Sequence, residues 1–396
     1  MKKNLLFVID SLECAGAEKS LVTLLSLFDY GRYNVDLLLF GHGGALEELV
    51  PKQVKILPPN NYTKFSSLNL KEATFYSVKN RKFKLLAARI KYSFSIRKKN
   101  YSNPQKARIY WQSASRVFEE NPKTYDVAIS YAQGVPTFYV AEKIKAKRKY
   151  AWVNVSYRLK DDDKNFQQQF YERFDKIVAV SDSAKEVFVE TFPHYENKMN
   201  VVYDINNPRL IANMAEIGNS YEDDFTGTRI LTIGRLAHQK GYDFALDACR
   251  MLVDKGIHFK WYALGKGPLE EEIKKKIADY GLSEHFILLG VKSNPYPYIK
   301  DADIYVQPSR FEGFGLAIAE ARMLNTPVVT TRFDAVYNQM IDGKNGLVVD
   351  MNGAAICEGI LRLINDKRLR EQIIKYLHNE KKGNVEELDK FYQLIG

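Results

Sequence analysis

Two carboxylates in one short stretch have a spacing that suits the binding of a nucleotide sugar. Glu312 and Glu320, with seven residues between them, lie in SRFEGFGLAIAEARML. Gly313 and Gly315 allow the backbone to approach a ligand, and a helix that begins near Gly315 offers free N–H groups to a diphosphate. Glu320 lies about five residues further along the helix, which is about 7 Å at 1.5 Å per residue. The ribose of a nucleotide lies at about this distance from its diphosphate. The spacing predicts that Glu320 accepts ribose hydroxyls and that Glu312 meets the sugar.

Two cations have a comparable placement earlier in the chain. Arg235 and Lys240 are five positions apart in the glycine-flanked loop GRLAHQKG, directly after an apolar run. Fixed cations there would neutralise a diphosphate and stabilise it as a leaving group. Each motif also has a simpler explanation. The cations may be read as a solvated pair, and Glu320 as a buried structural carboxylate, which needs partners because unpaired burial costs several kcal/mol.

The elements that must position these residues form a repeating pattern. Residues 304–306 form an apolar strand, an apolar helix follows the glycines, and a new strand starts near 327. An apolar helix between two apolar strands is typical of a buried βαβ unit in a parallel sheet. Further strands are predicted at 4–9, 33–40, 54–57, 125–130, 150–155, 176–181, 200–203, 229–233, 259–264, 287–289 and 347–349. Helices are predicted at 19–28, 137–145, 269–280, from 242, and from 354 to the end.

The pattern occurs twice, with a polar, turn-rich linker near 205–227 between the two sets. We therefore predict an α/β protein with two doubly wound, Rossmann-like domains facing a cleft. The first domain is predicted to span 1–205 and the second 206–379. A C-terminal helix, 380–396, is expected to pack back on the first domain, which is implied only by the family resemblance given next.

The motifs resemble those of glycosyltransferase family 4, whose members are retaining enzymes of the GT-B fold. The pattern of Glu-Gly-Phe-Gly followed by Glu-Ala is present in full, as is Gly-Arg, four residues, Lys-Gly. The resemblance implies a donor on the second domain and an acceptor on the first. It implies catalytic roles for Arg235, Lys240 and Glu312, and a donor site that includes Gly16, Val291 near the base, Phe314, Gly315, Leu316 and Glu320.

The first half departs from the family pattern at two places. Family members often carry Gly-Gly-Ala-Glu after the first strand, whereas residues 15–18 read Ala-Gly-Ala-Glu and keep only Gly16. Many relatives have a histidine near position 154 that touches the acceptor or the transferred sugar. Here Asn154 is followed by Ser156 and Tyr157. We predict Asn154 and Tyr157 as acceptor residues that provide no imidazole base.

The predicted reaction moves a sugar from a nucleotide diphosphate sugar, with UDP as the favoured nucleotide, to an acceptor hydroxyl. No metal and no cofactor is required, because cations and amides stabilise the leaving diphosphate. Front-face attack is expected, with the leaving phosphate taking the acceptor proton. Two alternatives remain open: a non-catalytic partner subunit, and a nucleotide-sugar epimerase or hydrolase. The latter needs acid–base residues, and of the six histidines only His238 lies in a motif loop.

Charge is unevenly distributed. The net charge is +10, and residues 64–110 hold thirteen Lys or Arg with one acid, Glu72, and interleaved aromatic residues. This composition suits an anionic membrane surface. A nucleic-acid surface and an ordinary solvated helical face are the alternatives. We favour the membrane and predict no nucleic-acid partner.

Length and composition fit this assignment. The chain has 396 residues, enough for two domains, and three cysteines that are far apart. The apolar run in MKKNLLFVID ends at Asp10, so a strand is favoured over a secretory signal. No apolar run has the length of a membrane span. We expect a cytoplasmic protein, peripheral at the inner face of the membrane, that acts on a lipid-linked or glycan acceptor in surface polysaccharide synthesis.

Overall fold

Two parallel sheets organise the chain in a computed structural model that describes residues 2–13, 16–44, 46–97, 101–155, 159–292 and 294–396. The chain divides into two compact units. The first is built mainly from Ala17–Val202 with the N-terminal strand and Lys390–Gly396, and the second from Tyr203–Asp389.

The first unit contains a seven-stranded parallel sheet in the order β3-β2-β1-β4-β5-β6-β7. Its strands are β1 (Lys3–Ile9), β2 (Tyr33–Leu39), β3 (Val54–Ile56), β4 (Thr124–Ser130), β5 (Lys145–Val153), β6 (Lys176–Ala179) and β7 (Met199–Val201). Its helices are α1 (Gly16–Ser26), α2 (Asn61–Ser67), α3 (Leu70–Lys79), α4 (Phe83–Ile96), α5 (Asn103–Ala114), α6 (Val135–Lys143), α7 (Asp161–Tyr171) and α8 (Asp182–Thr191).

The second unit contains a six-stranded parallel sheet in the order β10-β9-β8-β11-β12-β13. Its strands are β8 (Thr228–Ile233), β9 (Phe259–Leu264), β10 (Phe286–Gly290), β11 (Ile304–Gln307), β12 (Val328–Thr331) and β13 (Leu347–Val349). Its helices are α9 (Pro208–Ala215), α10 (Tyr242–Asp254), α11 (Glu270–Asp279), α12 (Tyr296–Lys300), α13 (Leu316–Met323), α14 (Gly353–Asn365) and α15 (Lys367–Asn379), and α16 (Glu387–Ile395) ends the chain.

Both faces of the second sheet are covered. Successive side chains of a strand point to opposite faces. Ile304 and Val306 therefore pack with α10, α11, α14 and α15, whereas Tyr305 packs with α12 and α13. This double burial explains why the strands read as continuous apolar runs rather than as alternating ones. The two predicted doubly wound α/β arrangements are confirmed.

The final residues of α16 complete the apolar core of the first unit. The Phe391 ring is fully buried and lies 6.1 Å from the ring of Phe7 and 5.7 Å from that of Phe28. Tyr392 stacks on Tyr33 at 5.8 Å, and its hydroxyl accepts a hydrogen bond from the Asp29 amide at 2.7 Å.

Several predicted boundaries were wrong. The segment from 354 to the end is not continuously helical: residues 380–386 are irregular, and Gly383 there has a φ of +75°, which a helix cannot contain. The predicted linker contains α9, which begins where Pro208 follows Asn207, whose side chain caps the helix at the Leu210 amide. Gly16, predicted in a loop, is the first residue of α1. Residues 144–145 lie outside α6, and β5 begins at Lys145 rather than 150.

Among the helices within the described ranges, none combines the length and the apolar character that crossing a membrane requires.

We predict that Phe391→Ala lowers the free energy of unfolding of the first unit by about 3 kcal/mol, because a large buried ring is lost and its cavity remains. Urea denaturation followed by circular dichroism measures the change. Phe94→Ala is the control, since that ring is 66% exposed and its loss is expected to cost less than about 0.5 kcal/mol. Equal effects of the two substitutions would contradict the packing described for α16.

Candidate functional site

The second sheet changes its direction of winding between β8 and β11. The chain moves outward from β8 through β9 to β10 and then returns to the other side of β8 at β11. In open parallel sheets, ligands bind beyond the carboxyl ends of the strands at such a switch point. The loop after β8 carries Arg235 and Lys240, and the loop after β11 carries Glu312. The topology thus brings the predicted cations and the first predicted carboxylate to one edge.

An ion pair joins these two loops. Lys240 Nζ lies 2.5 Å from Glu312 Oε1, and both side chains are largely buried, at 19% and 9% exposure. The sequence predicted both residues as functional but did not predict this contact. In this structure the Lys240 charge is therefore matched by a carboxylate, and Lys240 fixes one oxygen of Glu312.

A buried polar network holds the same oxygen of Glu312 from the other side. Ser309 Oγ donates to Oε1 at 2.6 Å and Gln307 Nε2 at 3.2 Å, and Gln307 also donates to Ser309 Oγ at 2.7 Å. The Tyr305 hydroxyl donates to Gln307 Oε1 at 2.5 Å. Burial, with the nearby charges of Glu320 and Glu312, raises the Tyr305 pKa well above its usual value, so the phenol remains a donor. Because Lys240, Ser309 and Gln307 all donate to Oε1, Oε2 is the oxygen of Glu312 that is available to a ligand hydroxyl.

Glycine allows the two loops to touch. Gly241 has a φ of +63°, and a Cβ there would lie 1.9 Å from the carbonyl oxygen of Pro308. Any other residue would separate the loops and stretch the ion pair between them. Gln239 Nε2 donates to the Phe311 carbonyl at 2.9 Å, and the Arg310 amide donates to the Gln239 carbonyl at 2.8 Å.

A second ion pair braces the loop after β11 against α10. The Arg310 guanidinium donates to both carboxylate oxygens of Asp243, at 2.8 and 2.6 Å, and lies over the Phe244 ring at 4.2 Å. The hydrogen bond from Arg310, reinforced by its charge and opposed by partial burial, holds the Asp243 pKa below its usual range. The sequence analysis did not identify this pair, because 67 positions separate the two residues.

Arg235 is exposed, but its backbone is held firmly. A Cβ on Gly265 would lie 2.1 Å from the Gly234 carbonyl, and one on Gly267 would lie 2.3 Å from the Leu236 carbonyl. The GKGP loop after β9 therefore packs directly on the backbone that carries Arg235. Within the described part of the chain, the Arg235 side chain forms no hydrogen bond or ion pair. The guanidinium is therefore available to an anion, and the backbone that carries it is held in place.

The predicted helix start is confirmed. Gly315 precedes α13 in a left-handed conformation with a φ of +81°, and Leu316 is the first helical residue. The Gln339 side-chain amide donates to the carbonyls of both Phe314 and Gly315, at 3.1 Å for the latter. Phe314 is buried, with its ring 5.8 Å from that of Tyr203. These contacts fix the turn whose following N–H groups point toward an incoming anion.

Glu320 is 3% exposed and lies in the middle of α13. Its Oε1 accepts a hydrogen bond at 3.0 Å from the hydroxyl of Tyr296, the first residue of α12. A buried carboxylate needs a polar partner, and Tyr296 provides one, as a purely structural role of Glu320 would require. The same hydrogen bond also orients the carboxylate for ligand hydroxyls. Sequence reasoning did not identify Tyr296, because nothing in the local pattern links it to Glu320.

The remaining predicted donor residues are more dispersed. Val291 follows β10 directly and is half-buried, two strands away from β8 in the sheet. Gly16 is exposed at the start of α1.

In the first unit, Asn154 lies at the carboxyl edge of the sheet. Its Nδ2 donates to the Tyr131 carbonyl at 2.6 Å, while its Oδ1 is buried and has no hydrogen-bond partner among the described residues. Tyr131 follows β4, and its hydroxyl lies 2.9 Å from Ser20 Oγ. Because β1 and β4 are neighbours, this is the switch point of the first sheet. Tyr157, the other predicted acceptor residue, lies outside the described residues.

Over the described ranges, no group of three or more His, Cys, Asp or Glu side chains is placed to hold a metal ion.

Comparison with known proteins finds a family model and several relatives that match part of the chain. Residues 215–380 match the family model described as glycosyl transferases group 1. An uncharacterized glycosyltransferase of Methanocaldococcus jannaschii is 32% identical over 202 residues, which are 50% of this chain and 52% of that protein. The capsular polysaccharide biosynthesis glycosyltransferase CapM of Staphylococcus aureus is 28% identical over 213 residues, 50% of this chain and 54% of CapM. The chain thus spans about half the length of these curated relatives.

A solved structure resembles the chain over nearly its whole length. Anabaena HepE, crystallised with UDP and glucose, matches with a TM-score of 0.69 and 16% identity, covering 99% of this chain and 98% of HepE. At this identity the likeness shows the fold, which is GT-B. The fold is thus GT-B, and residues 215–380 match the glycosyltransferase family model.

We predict that Asp243→Asn lowers the free energy of unfolding at pH 7 by about 1 kcal/mol, since the pair is partly exposed. The Asp243 pKa is lowered in the folded state, so its contribution is present above the unfolded pKa of about 3.9 and is lost as pH falls. The difference from the unsubstituted protein should therefore shrink as the pH falls from about 5 through the lowered folded-state pKa of Asp243, as measured by urea midpoints. Asp254→Asn, an exposed position on the same helix, is the control; a difference that grows in acid would contradict the prediction.

Proposed function

We propose that the protein is a retaining glycosyltransferase that transfers a hexose-type sugar from UDP to an acceptor hydroxyl. The observation that carries the proposal is the edge between β8 and β11, where an oriented carboxylate, a free cation and a helix start lie on adjoining loops. Glu312 Oε2 would accept hydroxyls of the donor sugar. The free guanidinium of Arg235 and the first amides of α13 would meet the diphosphate, and Glu320 would meet the ribose.

The bond changes define what these residues must do. The bond from the sugar C1 to the diphosphate oxygen breaks, and a bond from C1 to the acceptor oxygen forms. Negative charge grows on the diphosphate, where Arg235 and the amides of Gly315 and Leu316 would stabilise it, while Lys240 holds Glu312 in position. These groups supply positive charge without a metal ion. The acceptor proton passes to the leaving phosphate on the same face of the sugar, which retains the anomeric configuration.

Glu312 is suited to positioning rather than to nucleophilic attack. One of its oxygens is tied to Lys240 at 2.5 Å and to Ser309 at 2.6 Å, which restricts the movement of the carboxylate. A carboxylate held in this way orients sugar hydroxyls well.

The relatives support the donor and the pathway. HepE was crystallised with UDP and glucose, and CapM is named for capsular polysaccharide biosynthesis. We extend the proposal to a UDP-sugar donor and a lipid-linked or glycan acceptor in surface polysaccharide synthesis, with the acceptor on the first unit near Asn154.

Nucleotide binding tests the donor site. UDP, GDP, ADP and their sugar conjugates are added to the purified protein, and Tm is recorded. A ligand at about 100 times its Kd stabilises the folded state by about 2.7 kcal/mol. We expect stabilisation by UDP compounds, and at least tenfold weaker binding in Arg235→Ala and Glu320→Gln. Arg368→Ala is the matched control because Arg368 is exposed on α15. Unchanged binding in both site variants would contradict the donor site.

Metal independence has its own test. We expect the rate of UDP release from a UDP-sugar to be the same in EDTA as in Mg²⁺, because the protein supplies the cations. A tenfold loss in EDTA that Mg²⁺ restores would show that a metal ion takes part.

The exterior of α3 and α4 supports a location at a membrane surface. Ala73, Ser77, Leu85 and Ala88 face inward, whereas large apolar side chains face solvent with exposures of 57–68%. The most exposed are Leu70, Phe75, Val78, Phe83 and Phe94. They lie in the segment with thirteen cations and one acid. Rings and cations on one surface suit the interface of an anionic bilayer. We propose peripheral binding at the inner face of the membrane through this surface.

Vesicle sedimentation tests the membrane proposal. Changing Lys79, Lys82 and Lys84 to Gln should weaken binding to vesicles of phosphatidylglycerol and phosphatidylcholine by more than tenfold, since each cation contributes about 1 kcal/mol. The control changes three exposed lysines of the second unit, Lys255, Lys275 and Lys344, to Gln. Equal loss in both variants would indicate only a general charge effect, and no binding by the unsubstituted protein would overturn the proposal.

A further inference from the structure

A pocket of about 430 Å³ opens beside α13, next to the candidate donor residues but on a different face of the helix. Ala319, Arg322 and Met323 line it. At about 100° per residue these three side chains share one face, and Glu320 points about 100° away from it. The other walls are the loop 337–345 and the segment 380–387. The volume lies within the range of pockets that bind small molecules.

The floor of the pocket is formed before any ligand arrives. Two segments distant in sequence are hydrogen-bonded to each other there. The Tyr203 amide donates to Glu387 Oε2 at 3.1 Å, and the Asn206 amide donates to Asn384 Oδ1 at 2.8 Å. A Cβ on Gly383 would lie 2.8 Å from the Asn206 carbonyl, so glycine permits this close approach. The floor therefore needs no rearrangement to bind a ligand.

The cations that line the pocket already have hydrogen-bond partners within the protein. Arg322 donates to both oxygens of Glu380, at 3.2 and 2.7 Å, with both side chains largely buried. Lys381 Nζ lies 2.6 Å from Glu386. Lys382 donates to two neutral oxygens, the Met323 carbonyl at 3.0 Å and Asn325 Oδ1. Each cation of the described lining is thus already hydrogen-bonded to protein, and a neutral polar ligand would find many dipoles.

Rings and amides are the remaining lining groups. The rings of Phe314 and Tyr203 lie 5.8 Å apart in the wall, and the Tyr337 ring is 57% exposed at the rim. Asn338, which is exposed, and Gln339 follow Tyr337 in the wall. Sugars have the complementary chemistry, because their C–H faces stack on aromatic rings and their hydroxyls both donate to and accept from amides.

We infer that this pocket binds a neutral carbohydrate unit, separate from the sugar of the donor. Tyr337 stacks on the sugar ring, and Asn338 pairs with its hydroxyls. The pocket follows from the positions of its lining residues alone, whereas its use in holding a glycan near the transfer site rests on the proposed function. Since Gln339 also fixes the turn before α13, an occupied pocket contacts the same side chain that positions the candidate phosphate-binding amides.

Saturation-transfer NMR on the full chain tests the inference. The probes are the methyl glycosides of glucose, galactose, N-acetylglucosamine and N-acetylgalactosamine, together with maltose and lactose, in saturating UDP. We expect saturation transfer to at least one probe, and at least fivefold weaker binding in Tyr337→Ala and in Asn338→Ala. Tyr76→Ala, another partly exposed tyrosine, is the matched control and should bind as the unsubstituted protein does. Tm measurements on the same samples verify that every variant is folded.

Three results would overturn the inference: no probe binds, binding is unchanged in both pocket variants, or a UDP-sugar displaces the probe. The last result would assign the sugar signal to the donor site. UDP titration of the same samples separates this inference from the proposed function. UDP binding without probe binding rejects only the pocket, whereas probe binding without UDP binding rejects the proposed donor site.

Discussion

The contact between Lys240 and Glu312 is the constraint on which the ligand edge of the second unit depends. It joins two loops whose strands are adjacent in the sheet but about 70 positions apart in sequence. Both side chains are largely buried, so removing either partner leaves an uncompensated charge, which typically costs about 3–5 kcal/mol. The pair forms only because Gly241 admits the Pro308 carbonyl, and because Arg310 is held by Asp243. Lys240, Glu312 and the two glycine-bearing loops therefore depend on one another for their positions.

This constraint gives the two cations of the GRLAHQKG loop different roles. Lys240 is committed to Glu312 and sets the direction of its free oxygen. The Arg235 side chain has no ion-pair partner among the described residues, and the backbone around it packs against Gly265 and Gly267. Its charge is therefore available to a ligand from a backbone position that is held in place. A site with one cation already neutralised and one free is suited to a ligand that carries hydroxyls at one end and a diphosphate beside them.

The sequence predicted the fold because the double burial of each parallel strand appears directly as an apolar run. It also predicted Arg235, Lys240, Glu312 and the helix start at Gly315, since glycine and charge in a loop after a strand have local patterns. It did not predict the partners of these residues. Tyr296 is joined to Glu320, Gln339 to Gly315 and Asp243 to Arg310 by tertiary contacts that leave no periodic or compositional trace. Gln307 could have been noticed from the sequence, because it is the one polar side chain in the strand IYVQ apart from the tyrosine hydroxyl.

The boundaries that were wrong share a physical cause. Helix α9 in the predicted linker is short and depends on its Asn207 cap rather than on a long amphipathic pattern. The break before α16 depends on one glycine, Gly383, whose conformation is fixed by its packing on Pro208. Composition indicated a linker in the first case and a continuous helix in the second. In both cases local contacts and packing in the folded protein give a different structure.

A crystal structure of the protein with UDP tests the account most directly. The account predicts the diphosphate within hydrogen-bonding distance of the amides of Gly315 and Leu316 and of the Arg235 guanidinium. It also predicts the ribose hydroxyls on Glu320, with the pair between Lys240 and Glu312 intact. UDP bound away from the start of α13, or bound there with Arg235 and Glu320 both directed elsewhere, would contradict it.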